Sequence, residues 1–271
     1  MQKTILITGS TDGIGLEAAR MLLSRGHNIL LHGRNPIKLE KVERSLSALP
    51  DGGRLDSYVA DLSRLADVQE FAKVVTEQHP ELDVLINNAG VYNAPDPVTR
   101  DGLDIRFAVN TIAPYLLTRR LLPIIAETGR VINLSSAAQS PVDMEALAGR
   151  VRLSDGEAYA QSKLALTAWS RRMGLEFKNK NGPVIVAVNP GSLLGTKMVK
   201  QAYGMEGKDI GIGANILCDL SLSDQVADAT GLYFDNDAGK FGSPHPDALD
   251  PRKLEEIVRG IELVLADLNL S

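Results

Sequence analysis

The feature that most constrains the fold of this 271-residue chain is an end-to-end alternation of short apolar runs with amphipathic helical patterns. Short, unbroken apolar runs are typical of strands buried on both faces of a parallel sheet. Parallel neighbours need long crossover connections, and the helical patterns supply them. The sequence therefore predicts an α/β fold with an open, doubly wound, mostly parallel sheet and helices on both faces.

The pattern predicts seven strands and six helices. The strands are Thr4–Ile7, Asn28–Leu31, Leu55–Val59, Val84–Ile86, Arg130–Leu134, Val184–Val188 and Gly231–Phe234. The helices are Ile14–Ser24, Pro36–Leu49, Leu65–Gln78, Asp101–Glu127, Glu157–Lys178 and Pro251–Leu268. We expect the long helix to bend near Pro114 or Pro123. Because no linker or repeat divides the chain, we predict one domain over residues 1–271.

Bulk composition excludes several classes of partner. Hydrophobic residues make up 44% and charged residues 23%, as in ordinary globular proteins. The net charge is −5 and the chain has no run of basic residues, which argues against nucleic acid or an anionic membrane as partners. The single cysteine, Cys218, excludes an intrachain disulfide, and we expect neither a metal site nor a targeting leader. We therefore expect a cytoplasmic protein.

Three irregular stretches stand out: residues 139–156, 191–213 and 235–250. In an open parallel sheet, ligands bind beyond the carboxyl ends of the strands, and long loops there cover the site. We predict that all three are substrate loops. The glycine-dense stretch 191–213 suits a mobile flap, with a plain surface loop as the alternative.

A glycine-rich turn follows the first predicted strand and opens the first predicted helix. With the spacing Gly-x-x-x-Gly-x-Gly, the predicted loop comprises Gly9, Ser10, Thr11, Asp12, Gly13, Ile14 and Gly15. Glycines let the backbone approach a pyrophosphate, and free N–H groups at the helix N-terminus attract the anion. A purely structural turn is the alternative. The position of the turn favours dinucleotide binding and a single-domain Rossmann fold.

The residues after the second predicted strand indicate which dinucleotide binds. An NAD site commonly has Asp or Glu here to hold the ribose hydroxyls. This chain has His32-Gly33-Arg34-Asn35, and Arg34 could bind a 2′-phosphate through two hydrogen bonds. The sequence therefore favours NADP over NAD, although Asp12 places negative charge near a phosphate and a solvated Arg34 is the alternative.

A tyrosine and a lysine lie four positions apart near the start of the fifth predicted helix. Tyr159 and Lys163 would share one helix face. A nearby ammonium favours the phenolate, so the pair could donate and accept a proton near neutral pH. A surface tyrosine above a solvated lysine is the alternative.

In order along the chain, these motifs resemble the short-chain dehydrogenase/reductase family over nearly the full length. The matching segments are Thr8-Gly9-x-x-x-Gly13-x-Gly15, Asp61-Leu62, Asn87-Asn88-Ala89-Gly90, Asn110, Ser135-Ser136, Tyr159-x-x-x-Lys163, and Pro190-Gly191 followed by Thr196. The resemblance implies an NAD(P)-dependent oxidoreductase that acts on alcohol or carbonyl groups.

The resemblance also implies a role for each matching residue. Tyr159 would be the general acid or base, assisted by Lys163, while Ser136 orients the substrate carbonyl and Asn110 holds a relay water. The remaining residues would contact the cofactor: Asp61 and Leu62 at the adenine, Asn88, Ala89 and Gly90 at the ribose, and Pro190, Gly191 and Thr196 at the nicotinamide. Asn110 and Thr196 each have a structural alternative, as a helix residue and a helix cap.

The chain departs from the family pattern between its serine and its tyrosine. Tyr159 follows Ser136 by 23 positions, a longer spacing that resembles retinol-dehydrogenase-like and WW-domain-oxidoreductase-like members. That similarity hints at a lipophilic aldehyde, ketone or alcohol. The added stretch is either a lid wall or a surface elaboration. Gln139 also replaces the glycine that the family commonly has three residues after the serine.

The sequence therefore predicts an NADP-preferring oxidoreductase, with NAD possible, that moves a hydride between nicotinamide and a carbonyl or alcohol. Two alternatives remain: a dinucleotide-binding sensor or scaffold without turnover, and a sugar-nucleotide epimerase or dehydratase. The expected partner is a small molecule, and a homodimer or homotetramer is possible.

Overall fold

The computed structural model describes residues 1–50, 52–178, 180 and 182–270, with the Tyr203 side chain excluded. Eight strands form one sheet: β1 Thr4–Ile7, β2 Asn28–Gly33, β3 Leu55–Val59, β4 Leu82–Asn87, β5 Ile125–Leu134, β6 Val184–Asn189, β7 Tyr233–Asp235 and β8 Lys240–Gly242. The strand order is β3-β2-β1-β4-β5-β6-β7-β8. The first seven strands are parallel, and β8 pairs antiparallel with β7. This confirms the α/β Rossmann prediction.

Helices cover both faces of the sheet. They are α1 Gly13–Ser24, α2 Pro36–Leu46, α3 Leu65–Gln78, α4 Ile105–Phe107, α5 Ala113–Leu121, α6 Met144–Leu147, α7 Asp155–Phe177, α8 Lys197–Tyr203, α9 Gly211–Leu222 and α10 Pro251–Asp267. Successive strand residues point to opposite faces, so Leu6 packs under α3, α5, α7 and α10, whereas Ile5 and Ile7 pack under α1, α2 and α9. Each face therefore has its own buried core.

Several predictions about the number and the bounds of the elements need correction. The sheet has eight strands rather than seven, because Lys240–Gly242 turns back on β7 inside the predicted loop 235–250. The last parallel strand begins at Tyr233 rather than Gly231, and α2 ends at Leu46 rather than Leu49. The loops 139–156 and 191–213 contain the short helices α6 and α8.

The long helix predicted over 101–127 is shorter and is divided into several parts. Helical structure begins at Ile105, and a π-helical turn, Ala108–Ile112, separates α4 from α5 just before Pro114. A 3-10 turn, Leu122–Ile124, contains Pro123 and leads directly into β5. The irregularities therefore lie beside the two prolines where we expected a bend, and the segment 125–127 is strand.

The strand order reverses between β1 and β4, which are neighbours in the sheet although β2 follows β1 in sequence. Crossovers leave β1 and β4 toward opposite sides, so a crevice opens at their carboxyl ends. The glycine-rich turn follows β1, and Asn88-Ala89-Gly90 follows β4. The fold thus brings these two motifs together at the same crevice.

Candidate active site

The glycine-rich loop is folded tightly against the segment that follows β4. Gly9 and Gly13 have positive φ angles of 66° and 53°, which favour glycine. A Cβ at Gly9 would lie 2.9 Å from the Cα of Ala89, and one at Gly15 would lie 2.3 Å from Nδ2 of Asn88. Asn88 Nδ2 in turn donates to the carbonyl oxygen of Gly9 at 3.1 Å. These close approaches require glycine at both positions.

His32, which the sequence analysis did not select, supports the same loop from β2. Its Nδ1 accepts a hydrogen bond from the Gly9 N–H at 3.1 Å, and its Nε2 lies 3.2 Å from the carbonyl oxygen of Ala60. These partners assign the proton to Nε2. Burial lowers the pKa of His32 to about 4, so the ring is neutral at physiological pH. Ser10 is fully buried and bonds the His32 backbone instead of facing the cavity.

Two lysine side chains contact Asp12 at the N-terminus of α1. The Oδ2 atom of Asp12 accepts from Lys38 Nζ at 2.8 Å and from Lys197 Nζ at 2.7 Å. Burial acts against ionisation of the carboxyl, but the two ammonium groups and the Gly13 N–H lower its pKa to about 2. Arg34 is exposed and lines the same end of the cavity. The negative charge of Asp12 is therefore offset by the lysines.

The π-helical turn buries Asn110 against the loop after β4. Asn110 Oδ1 accepts from the Val91 N–H at 2.8 Å, and Nδ2 donates to the Val91 carbonyl at 2.9 Å and to Ser162 Oγ at 3.0 Å. The side chain is 1% exposed and does not line the cavity. Its amide thus fixes the backbone of Val91, and its role in a water relay stays a prediction.

The helix α7 carries Tyr159 and Lys163 to the wall of the cavity. Its N-terminus is fixed by a reciprocal capping box between Ser154 and Glu157. Lys163 Nζ lies 5.7 Å from the centroid of the Tyr159 ring and donates to the Leu134 carbonyl at 2.6 Å. Burial lowers the pKa of Lys163 to about 7. The pair is therefore the close contact that the i, i+4 spacing predicts.

The two serines after β5 have different surroundings. Ser135 is buried and its Oγ contacts the Lys163 carbonyl at 3.2 Å and Thr167 Oγ1 at 2.6 Å, both within α7. Ser136 is half-buried, lines the cavity and accepts the Ala138 N–H on its Oγ at 3.1 Å. Since Oγ already accepts there, its hydroxyl proton is available for another acceptor.

A flap, defined here as residues 193–208, closes the side of the cavity after β6. Its two ends pair through the Gly195 N–H to Lys208 carbonyl bond at 2.6 Å and the Lys208 N–H to Leu193 carbonyl bond at 2.7 Å. Thr196 is the N-cap of α8, and its Oγ1 accepts from the Val199 N–H at 3.3 Å. Thr196 therefore caps a helix, as the structural alternative predicted, and it also lies on the cavity wall.

These elements enclose a cavity of about 900 Å³. Predicted residues on its wall are Gly9, Thr11, Asp12, Gly13, Ile14, Arg34, Asp61, Leu62, Asn88, Ala89, Gly90, Ser136, Tyr159, Lys163, Pro190, Gly191 and Thr196. Ser10, Gly15 and Asn110 lie behind it, in structural contacts. Lining residues that the sequence analysis missed include His32, Val91 and Tyr92, for which no motif gave a signal, whereas Leu193 and Met198 lie in the predicted substrate loop 191–213.

Of the three predicted substrate loops, only 191–213 supplies residues to the cavity wall. The stretch 139–156 packs beside it on the segment 102–106, where the buried Arg106 binds both Asp104 and Asp155. No group of metal-ligating side chains occurs within the described part of the chain. None of its helices is both long and apolar enough to cross a membrane.

Comparison with known proteins places this site in a family. Human retinol dehydrogenase 13 is 30% identical over 276 residues, which covers 95% of this chain and 81% of the relative. A crystal structure of an uncharacterised protein from Mycobacterium paratuberculosis is 26% identical, with a TM-score of 0.79 and coverage of 97% and 93%. A short-chain dehydrogenase from Shigella flexneri, complexed with NADP, is 26% identical with a TM-score of 0.67, covering 87% of this chain and 97% of that one.

The chain also matches a sequence model of a whole protein family. The model described as short chain dehydrogenase matches residues 3–207, which include the glycine-rich loop, Ser136 and the Tyr159–Lys163 pair. The chain therefore belongs to the short-chain dehydrogenase family and is an NAD(P)-dependent oxidoreductase.

Proposed function

We propose that this chain is an NADP-preferring enzyme that moves a hydride between nicotinamide and a carbonyl or alcohol carbon, with Tyr159 as general acid or base. One observation carries the proposal: Ser136, Tyr159 and Lys163 line the same cavity as the glycine-rich loop. A cofactor bound there would present its reactive ring to the substrate beside a proton donor. Hydride transfer is the chemistry that a bound nicotinamide supplies.

The residues present fit a dinucleotide. Gly9 and Gly13 line the cavity and carry no side chain that would exclude a pyrophosphate, and the first turn of α1 offers backbone N–H groups to it. Asp61 and Leu62 would contact the adenine, and Gly90 would face a ribose. Pro190 and Gly191, at the end of β6, would hold the nicotinamide amide.

Tyr159, Lys163 and Ser136 can handle the proton. A charged Lys163 beside Tyr159 stabilises the phenolate and so eases proton loss. Ser136 Oγ accepts from the Ala138 N–H and keeps its own proton for a carbonyl oxygen. Tyr159 would donate its proton to that oxygen in reduction and accept one from the hydroxyl in oxidation.

The preference for NADP rests on charge at the adenosine end. Arg34 lines the cavity after β2, where a ribose-binding carboxylate would favour NAD. Lys38 and Lys197 offset the charge of Asp12, which removes the one sequence argument against a 2′-phosphate. The Shigella relative was solved with NADP, and NAD remains possible as a second cofactor.

The substrate end favours a lipophilic carbonyl or alcohol. Val91, Tyr92, Leu193 and Met198 line the same cavity as Ser136, and the Tyr92 ring lies 4.9 Å from the Tyr159 ring, centroid to centroid. Apolar walls bury apolar substrate surface.

Three further expectations remain part of the proposal. They are a single catalytic domain over residues 1–271, a cytoplasmic location, and a homodimer or homotetramer.

A carbonyl panel with both cofactors tests the proposal. NADPH oxidation should be detected with at least one aldehyde or ketone and should exceed NADH oxidation. Ser136→Ala and Tyr159→Phe should each abolish most turnover while NADPH still quenches or shifts protein fluorescence with a similar Kd. Turnover that survives both substitutions would contradict the assigned roles. Equal affinity for NADPH and NADH would contradict the cofactor preference.

A further inference from the structure

Ser136 is held through its backbone carbonyl as well as through its Oγ. The carbonyl oxygen accepts two hydrogen bonds, one from Gln139 Nε2 at 2.9 Å and one from Tyr233 OH at 3.1 Å. Both donors follow Ser136 in sequence, but at very different separations, since Gln139 lies three residues later and Tyr233 lies 97 residues later in β7. Two donors on one carbonyl fix the peptide plane that follows the serine, and with it the direction in which Oγ leaves the backbone.

Gln139 uses both ends of its amide. Nε2 must face the Ser136 carbonyl, which can only accept, and Oε1 accepts from the His245 N–H at 3.4 Å. The glutamine therefore joins the catalytic turn to the segment after β8. Glycine, the residue that the family commonly has here, could form neither bond.

Tyr233 keeps the hydroxyl proton that it donates to the Ser136 carbonyl. Its side chain is buried, and burial together with the nearby Asp235 raises the pKa of its hydroxyl, which stays protonated through the physiological range. The strand pairs with β6 at Ala187 and with β8 at Gly242, so the ring is fixed from both sides.

We propose that Gln139 is a positioning residue for Ser136, and that Tyr233 shares this role by donating to the same carbonyl. The proposal rests on the proposed function and deepens it, because it explains how the carbonyl-orienting serine is aimed in a chain that lacks the usual glycine. It also links the C-terminal segment at His245 to the reaction site, although that segment supplies no residue to the cavity wall.

The test is a double-mutant cycle between Gln139 and Ser136. Gln139→Met keeps the length of the side chain and removes both hydrogen bonds. With NADPH and 4-nitrobenzaldehyde as the probe, we expect kcat to fall about tenfold, the loss of one neutral hydrogen bond expressed in the transition state. The Kd for NADPH should stay within about twofold of the wild-type value. In the Ser136→Ala background, the same substitution should change kcat by less than about twofold.

A matched control separates positioning from general disturbance of the loop. Gln161 Oε1 accepts from the Asp143 N–H at 2.8 Å, so Gln161→Met removes a similar bond from the same loop without touching Ser136. It should keep kcat within about twofold. Tyr233→Phe should reproduce the loss seen in Gln139→Met. Wild-type kcat in Gln139→Met, or an equal loss in both serine backgrounds, would overturn the proposal.

A second readout does not depend on turnover. The Ala138 N–H donates to Ser136 Oγ, so its amide hydrogen exchange reports whether the serine is in place. We expect exchange at Ala138 to accelerate about tenfold in Gln139→Met and to stay unchanged in Gln161→Met. Unchanged exchange in Gln139→Met would overturn the positioning role. Failure of the proposed function would show instead as full turnover in Tyr159→Phe.

Discussion

The wall of the cavity is held in two different ways. At the part that we call the rigid end, with Gly9, His32 and Asn88, hydrogen bonds between poorly exposed groups lock the loops after β1, β2 and β4 to one another. Leu193 and Met198 instead belong to the flap, whose ends are joined mainly by backbone bonds, whose Leu193 is 41% exposed and whose Lys197 contacts Asp12 at the rigid end. From this difference we expect the strand ends to serve the proposed chemistry, and we expect the flap, a loop that can be replaced independently, to influence the choice of substrate.

The largest expected effect comes from removing the proposed proton donor, Tyr159. Tyr159→Phe should lower kcat about 10³-fold, the usual contribution of general acid–base catalysis, and leave the Kd for NADPH within about twofold. Steady-state kinetics and fluorescence titration measure the two quantities. Tyr115→Phe removes a hydroxyl bonded to Glu262 at 2.9 Å, far from the site, and is the control. A drop in NADPH affinity comparable to the drop in kcat would show that Tyr159 serves binding instead.

The next effect concerns cofactor choice at the rigid end. Arg34→Asp should shift the ratio of NADH to NADPH affinity by about 100-fold toward NADH, because it removes a charge-assisted contact and adds repulsion of the 2′-phosphate. Titration with both cofactors measures the ratio. Arg44→Asp makes the same change on exposed α2 and should leave the ratio unaltered. An unshifted ratio in Arg34→Asp would remove the argument for NADP.

Lys163 gives the rigid end a distinctive pH dependence. Its pKa is about 7 in the folded protein, against 10.5 when exposed, because burial disfavours the charge. Between these two pH values Lys163 is protonated in the unfolded chain and mostly neutral in the folded protein. The free energy of unfolding therefore rises with pH in this range. Below pH 7 the burial penalty is fully present.

Urea unfolding of the cofactor-free protein at pH 7, 8 and 9 tests this. The free energy of unfolding of the wild type should rise, relative to Lys163→Met, by up to about 1.4 kcal/mol per pH unit, or tenfold in the unfolding constant. A constant difference between the two proteins across this range would mean that Lys163 is not titrating as its burial requires.

The smallest effect concerns the contact between the flap and the rigid end. Lys197→Met breaks the bond to Asp12, and because both side chains are partly exposed we expect NADPH to dissociate only about threefold faster. Stopped-flow displacement measures the rate. Lys200→Met removes an ion pair with Glu206 from the same helix and is the matched control. Equal acceleration in both variants would indicate a general effect of charge on the flap.

Local patterns in the sequence were enough to predict the scaffold and much of the site. Gly9 and Gly13 predict the turn because glycine readily adopts the positive φ angles that it needs. Tyr159 and Lys163 lie close together because they are four positions apart on one helix. The strands with unbroken apolar runs were found, whereas β8 was missed because Lys240–Gly242 is only three residues long and has a single apolar residue, the partly buried Phe241. The helix over 101–127 was extended too far because Ile125–Glu127 lacks the run that marks a buried strand.

Long-range contacts account for the rest. Tyr233 bonds the Ser136 carbonyl, the His245 N–H bonds Gln139, and Lys197 bonds Asp12, in each case across a distance in sequence that no local pattern reports. In the sequence, nothing distinguishes His32 from an ordinary strand residue. Only the structure shows that its ring accepts a hydrogen bond from the Gly9 N–H. The stretch 139–156, for which the sequence left a lid wall and a surface elaboration open, supplies no residue to the cavity wall and contacts Ser136 through Gln139, so its role as a substrate loop stays a prediction.

Isotope tracing tests the central claim most directly. Reduction of 4-nitrobenzaldehyde with NADPH labelled with deuterium at the transferred C4 position should give benzyl alcohol product with one deuterium on its carbinol carbon, detected by mass spectrometry. The Tyr159→Phe enzyme should give almost none of that product in the same time. Unlabelled product from the wild type, or labelled product from Tyr159→Phe at the wild-type rate, would contradict hydride transfer assisted by this tyrosine.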